Sequence, residues 1–495
     1  MGVLAAGVWA VQFCLNLPIS DGLILAGPGP SEDEIARDTA AATKEARAKS
    51  DHFVLMFTGN WQNRLEPCGC AQNMLGGIDR RSHILGAVDP KQRLLLDIGT
   101  LISDERPQNL YAFETFLYSL RQLRYDAITL TPPEMQLILQ RGIMPEEIPP
   151  LLVSNAVESA GPLPLLPSLE KPLTAGKHHL STLTIALPQP DENTPPADID
   201  LIDPAEAVIT TLQAHQLEPH EKRIDKLVIV LLPDEDEKLR ARLTEIQAID
   251  LIVTIAAYDT PEFFVSASQT ASEESSQGPA LLTVGNQGKY IARLDIPADQ
   301  VERIRSEHFR YVPIKPTFRQ DRQIVDLMQE YLDRLRIEGL IEKEILPREP
   351  LPDGNMFIGS QMCRSCHQVE YDTWKKMRHA RAMTTLQERK NPSGRDFDPT
   401  CVVCHSVGMD YAGGYRSMQE TPEMAHVGCE MCHGPGGNHV FSANPASVPM
   451  SKAFTRCADC HDSENDPYFE KDYEKKFQII KHWDGKRSEV WHTPQ

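Results

Sequence analysis

Within about a hundred residues the chain repeats one five-residue pattern: Cys363-Arg-Ser-Cys366-His367, Cys401-Val-Val-Cys404-His405, Cys429-Glu-Met-Cys432-His433 and Cys457-Ala-Asp-Cys460-His461. Eight of the 11 cysteines lie in these repeats. The others, Cys14, Cys68 and Cys70, lie far upstream, so this is not the even spread of a disulfide framework. C-x-x-C-H is the attachment pattern of c-type haem. Two thioether bonds fix a porphyrin edge to one turn of backbone, and the histidine that follows binds the iron. Zinc sites pair C-x-x-C groups with each other or use histidines spaced along a helix. A redox dithiol has no use for a histidine directly after the second cysteine. Four copies point to four haem c groups, one per motif.

The surrounding composition agrees. Residues 355–495 hold short helical patterns and many turn residues, with too few periodic apolar side chains to build a core. The haem planes supply the missing interior. Each iron also needs a sixth ligand or stays open. Five further histidines follow Cys363: His379, His426, His439, His482 and His492. The first four join the motif histidines as candidate iron ligands, with Met377, Met383, Met409, Met424 and Met450 as alternatives that raise the potential. If 368–386 is one helix, His379 lies about 18 Å along its axis from His367 and must reach a neighbouring haem.

Residues 358–482 resemble the tetrahaem cytochrome c family typified by the electron acceptor of hydroxylamine oxidoreductase. The resemblance is carried by Cys363 to His367 with Trp374 and His379, by Cys429 to Gly436 with His439, and by Tyr473 to Ile480 before His482. It implies that most haems have two histidine ligands, that ligands cross between haems, and that one haem is five-coordinate. His426, just before the third motif, departs from the family pattern.

Upstream the texture differs. Short runs rich in Leu and β-branched residues at 53–57, 94–98, 127–130, 151–154, 227–232, 251–255 and 281–284 alternate with helical patterns at 111–123 and 237–246. This predicts a layered α/β domain over 52–312, interrupted by Pro-rich loops at 145–172 and 187–204 and a polar loop at 271–277. A connecting helix is expected within 313–345, with apolar residues at Ile324, Val325, Met328, Leu332, Leu335 and Leu340. A Pro-rich linker at 346–357 separates it from a mainly helical, loop-rich haem domain at 358–495. Residues 1–26 are largely apolar and lack a basic start. They read as an export signal, with a membrane anchor or a buried helix as alternatives. Residues 27–51 read as a linker or surface helix.

Residues 52–297 resemble the metallophosphatase domain of the periplasmic nucleotidase family, a four-layer α/β/β/α sandwich holding two metal ions. The frame lies in Thr58 to Pro67, Gly76-Gly77 with Arg80 and Arg81, Leu95 to Gly99, Tyr125 to Leu130, and Gly285 with Gly288-Lys289-Tyr290. That frame places the metal ligands at Asn60, Gln62, Thr100, Pro132-Pro133, Pro233 or its neighbour, Ala256 and Tyr258. None supplies the carboxylates and imidazoles a two-metal site requires, so the resemblance implies a domain that has lost its metals. Cys68-Gly-Cys70 on the cleft loop reads as a small disulfide, a soft-metal ligand pair or a redox relay. Arg80 and Arg81 read as an anion site or a solvated helix start.

The formal charge of -20 argues against nucleic acid as a partner. The expected role is exported electron transfer with redox protein partners, on the periplasmic or outer face of the cytoplasmic membrane, with a possible N-terminal tether. A haem-based oxidoreductase acting on a small nitrogen or sulfur species is the alternative. A metal-dependent phosphoesterase with an attached cytochrome is the third reading.

Overall fold

The computed structural model describes residues 30–482 apart from 68–73, 158–162, 190–198, 220–222, 224, 235, 256–258, 266–277, 352–353, 443–456, 463–464 and 467. The apolar N-terminal run, Cys14, the Cys68–Cys70 pair, Ala256, Tyr258 and His492 therefore lie outside the described residues.

The continuous apolar run at 53–57 forms β1 (His52–Thr58), buried on both faces as a central strand must be. It pairs in parallel with β2 (Arg93–Asp97), which leads through β3 (Ala127–Ile128), β4 (Leu151–Leu152) and β5 (Leu165–Leu166). On its other side it pairs antiparallel with β12 (Tyr290–Pro297), which is followed by β13 (Phe309–Pro313). Among the described residues, the second sheet has six strands. β6 (Leu169–Ala175) lies at one edge, beside β7 (His178–Ala186), β8 (Lys226–Leu232), β9 (Leu251–Ile255) and β11 (Ala280–Val284), with β10 (Phe263–Phe264) at the other edge.

Three apolar clusters set the layers. Val54, Met56 and Leu95 face the helices Pro107–Gln122 and Arg322–Glu338. Phe53, Leu55 and Phe57 point the opposite way, against Ile229, Leu231 and Val253 of the second sheet. The far side of that sheet, through Val228, Val230 and Ile252, packs on Val208, Leu212, Leu239 and Leu243 from the helices Pro204–Ala214 and Glu237–Thr244. Strand alternation thus produces an α/β/β/α sandwich.

The Pro-rich stretch 145–172 is not all loop. β4 and β5 lie inside it and β6 begins in it, with Pro172 on an edge strand where a missing N–H is tolerated. Of the stretch read as a linker or surface helix, the described part forms the helix Glu32–Ala46, which buries Thr39 and Ala46, and Arg293 Nη1 donates to Ala46 O at 2.6 Å. The connecting helix Arg322–Glu338 starts at an Asp321 cap and stops at Gly339, whose φ of 62° ends the run.

Beyond it the packing changes. One small cluster, including Ile341, Met383, Leu386, Val402, Val407 and Met424, sits against the end of the connecting segment. Elsewhere the helices barely bury themselves. Gln368–Trp374 buries no residue, Cys429–His433 only Glu430, and Phe469–Ile480 only Phe469. Val369 and Phe441 are 72% and 77% exposed. Such faces call for a large apolar partner, which is what a porphyrin provides. Among the described residues, no helix is long and apolar enough to cross a membrane.

Candidate haem sites and the sandwich cleft

The first motif occupies the short helix Ser360–Cys363 and the turn after it. The second lies on Pro399–His405, the third on Cys429–His433, and the fourth at 457–461. Each histidine therefore leaves a turn of backbone that also presents its two cysteines. Asp398 caps the second helix by accepting from Thr400 N at 2.9 Å, and Tyr331 of the connecting helix donates to the other Asp398 oxygen at 3.1 Å. Glu430 is buried in the third motif and accepts from Ile358 N, Gly359 N and Gly436 N at 2.7–3.1 Å. This ties the third motif to the segment entering the first. Cys429 N also donates to Ser360 Oγ at 3.0 Å, so sites one and three are adjacent.

Three motif histidines face a second imidazole. His367 and His439 have ring centres 6.3 Å apart, His433 and His482 6.0 Å, and His461 and His379 6.2 Å. An imidazole nitrogen sits roughly 2 Å from a bound transition metal and roughly 1 Å from its own ring centre, so two imidazoles across one metal have centres about 6 Å apart. Among the described residues, no histidine ring faces His405 at such a distance.

The protonation chemistry fits the same sites. His405 Nδ1 lies 2.7 Å from Ala382 O, His482 Nδ1 3.0 Å from Ile480 O, and His461 Nδ1 2.9 Å from Asp466 Oδ2. These partners only accept, so Nδ1 carries the proton and Nε2 keeps the lone pair for a metal. Burial holds His405 and His433 below the ordinary imidazole pKa. For His379, burial and then the neighbouring His461 and His405 push it down to about 4. Neutral imidazole is the metal-binding form.

His426 behaves differently. Its Nδ1 accepts the Met383 N–H at 3.1 Å, which leaves the ring proton on Nε2 in the neutral form that burial favours. It holds a φ of 72° and braces the backbone beside Ala382, the carbonyl partner of His405. The expected single helix over 368–386 is broken at Trp374. The indole N–H of Trp374 donates to Val427 O, and Val427 N donates to His379 O, so the chain turns toward residues 426–427. His379 lies in the turn that results, and the structure brings it to the fourth motif, not to its own.

In the sandwich, loops after β1, β2 and β8 converge at the strand ends. Gln62 Nε2 donates to Asn60 Oδ1 at 2.8 Å, Asn60 N to Gly99 O at 2.8 Å, and Thr100 Oγ1 to Pro233 O at 3.2 Å. Asn60, Gln62, Asn63 and Thr100 all have positive φ, a concentration of backbone strain typical of a functional cleft. Pro132 and Pro133 open a helix behind a Thr131–Glu134 capping box. Arg80 and Arg81 fit neither reading offered by the sequence. Arg80 is buried and donates to Gly76 O. Arg81 is fully buried, donates to Gly288 O and Tyr290 O, and lies 4.3 Å over Trp61. A side chain at Gly288 would meet the Trp61 ring at 2.5 Å, so this clamp requires glycine.

The described C-terminal segment carries the attachment motifs of haem c and is similar to multihaem c-type cytochromes. Residues 362–434 match the family described as cytochrome c554 and c-prime. That stretch contains the first three motifs and stops short of the fourth. Over 93 residues the chain is 39% identical to cytochrome c-554 of Nitrosomonas europaea, a match covering 17% of this chain and 40% of that protein. Among solved structures, the reduced state of the same cytochrome is similar at 29% identity, over 22% of this chain and 65% of that one, with a TM-score of 0.18. A 5'-nucleotidase precursor from Thermus thermophilus is similar at 17% identity, over 60% and 61% of the two chains, with a TM-score of 0.43. The chain joins an α/β/β/α sandwich to a segment similar to cytochrome c554.

Sequence reasoning missed three residues that shape these sites. Asp466, Lys476 and Phe469 surround His461, and an acid five residues past a motif is an ordinary surface pattern.

Proposed function

We propose that this chain is an exported four-haem electron carrier whose α/β domain has lost phosphoesterase chemistry and serves as a scaffold for docking. The three imidazole pairs at 6.0–6.3 Å carry the reading, because each joins a motif histidine to one from elsewhere in the chain. His367 with His439, His433 with His482, and His461 with His379 are the proposed axial pairs. His405 is the sole proposed protein ligand of the second site, and His426 is outside the ligand set. Cys363, Cys366, Cys401, Cys404, Cys429, Cys432, Cys457 and Cys460 are the thioether positions. The fourth motif is supported by its partner: His461 faces His379, a residue within the cytochrome-like segment.

When bound, haem iron supplies a one-electron couple at each site. Burial favours the neutral form of His379, His405 and His433, Nδ1 contacts orient His405, His461 and His482, and Glu430 ties the third motif to the segment entering the first. Redox proteins are the proposed partners. In the sandwich, Asn60, Gln62 and Thr100 satisfy one another or nearby backbone where the resemblance puts metal ligands, which supports loss of hydrolysis.

A second reading keeps its place through one observation, the lack of a described histidine opposite His405. A site with one open position is compatible with an oxidoreductase acting on a small nitrogen or sulfur species.

The test is the mass and spectrum of the mature protein. Four haems per chain and mainly low-spin bands are expected, with no phosphoester hydrolysis on adding manganese. Carbon monoxide bound to the reduced protein at one haem per chain favours the second reading; no binding removes it. A mass matching three haems or fewer overturns the four-site reading.

A further inference from the structure

The imidazole of His461 is held more tightly than attachment to a porphyrin requires. Its Nδ1 lies 2.9 Å from Asp466 Oδ2, and both Asp466 oxygens accept from Lys476 Nζ, at 2.8 and 2.7 Å. The Asp466 side chain is only 10% exposed. Phe469 stacks on the His461 ring with centroids 4.8 Å apart and planes 17° apart, and Lys476 Nζ lies 5.4 Å from the centre of Phe469. The aromatic ring fixes the plane of the imidazole and the carboxylate fixes its rotation. His405 and His482 are oriented by backbone carbonyls instead.

A carboxylate accepts a hydrogen bond more strongly than a neutral carbonyl does. As the Nδ1 proton is drawn toward Asp466, the imidazole becomes a more basic metal ligand. A more basic ligand favours the oxidised iron, and hydrogen bonding behind the axial ligand is one of the means by which a protein sets haem potential. Lys476 opposes this by drawing on the same carboxylate and by adding positive charge nearby.

We infer that Asp466 and Lys476 form a positioning pair that sets the reduction potential of the fourth-motif haem, Asp466 lowering it and Lys476 raising it. The inference rests on the proposal that His461 binds iron. An electron entering the chain at this haem is released more readily to its neighbours than it would be from the same site with a neutral partner.

The experiment is a spectroelectrochemical titration of the mature full-length protein, with haem content fixed by intact mass. In Asp466→Asn one couple moves upward by about tenfold in its one-electron equilibrium, about 59 mV, while the others hold. In Lys476→Met one couple moves downward. Opposite signs are not expected of two residues that merely hold the fold together. Unmoved couples in Asp466→Asn, or shifts of the same sign in both variants, overturn the inference. If Asp466→Asn fails to keep its haems, the sign of the Lys476→Met shift decides. Should the parent protein carry no haem at the fourth motif, the ligand reading itself fails, and the mass shows that separately.

Discussion

Arg395 and Glu66 meet in a two-point ion pair, Nε to Oε1 at 2.5 Å and Nη2 to Oε2 at 2.6 Å, that joins the haem-bearing segment to the first loop of the sandwich. The Arg395 side chain is 4% exposed and that of Glu66 18%. Removing one partner of such a pair strands a buried charge and costs about 3–5 kcal/mol, whereas replacing both with apolar groups is often nearly neutral. Arg395→Ala and Glu66→Gln should each lower the denaturant midpoint read at the haem absorption band. Arg395→Met combined with Glu66→Leu should recover most of the loss. A double variant as unstable as the sum of the singles would show that the pair is not the link between the two halves.

The proposed axial pairs make a second, spectroscopic prediction. His379→Ala, His439→Ala and His482→Ala should each open one iron, and each variant should bind one more carbon monoxide per chain than the parent. His426→Ala should leave that number unchanged. It should lose about 1 kcal/mol of stability, the typical worth of a hydrogen bond such as that from Met383 N. A gain of carbon monoxide binding in His426→Ala would return it to the ligand set.

The contrast between His379 and Asp466 shows what the sequence makes legible. The runs at 53–57, 94–98, 227–232 and 251–255 are readable because strands buried on both faces are continuously apolar. β6 is not, because Glu170, Lys171 and Pro172 give an edge strand the composition of a loop. The motif histidines are explicit in the spacing of their cysteines. Their candidate partners can be counted in the sequence, but which motif each one meets follows from the tertiary path: His379 reaches the fourth motif because the chain breaks at Trp374 and turns toward Val427. Asp466 has no periodicity or motif to mark it; its role exists only once the helix Phe469–Ile480 folds back and brings Lys476 onto it.

The helix that carries the second motif depends on a cap that the connecting helix helps to orient. Asp398 accepts from Thr400 N, and Tyr331 O–H donates to its second oxygen. Loss of an N-cap costs about 0.5–2 kcal/mol. Asp398→Ala should therefore fray the helix Pro399–His405 and shift the spectrum of one haem, while Asp398→Asn, which still caps, should retain most of the signal. Circular dichroism and the visible bands of the two variants check this. Equal effects in both would assign the contribution to the charge of Asp398.

Glu134 makes the α/β domain sensitive to pH. It is buried and accepts N–H groups from Leu101, Ile102 and Thr131. Burial raises its pKa from 4.5 to about 7, outweighing the hydrogen bonds that lower it. Between those values the folded chain holds a proton that the unfolded chain has released, so stability falls as pH rises. The contribution is complete below the unfolded pKa and is lost as pH climbs through about 7, a change on the order of 3 kcal/mol at most. Asp79, Asp97 and Asp398 are also raised by burial and act in the same direction, so the difference between parent and variant isolates Glu134. Urea midpoints at about pH 5 and about pH 8 should differ less in Glu134→Gln than in the parent. An identical difference in both proteins would mean that Glu134 is ionised in the folded domain throughout.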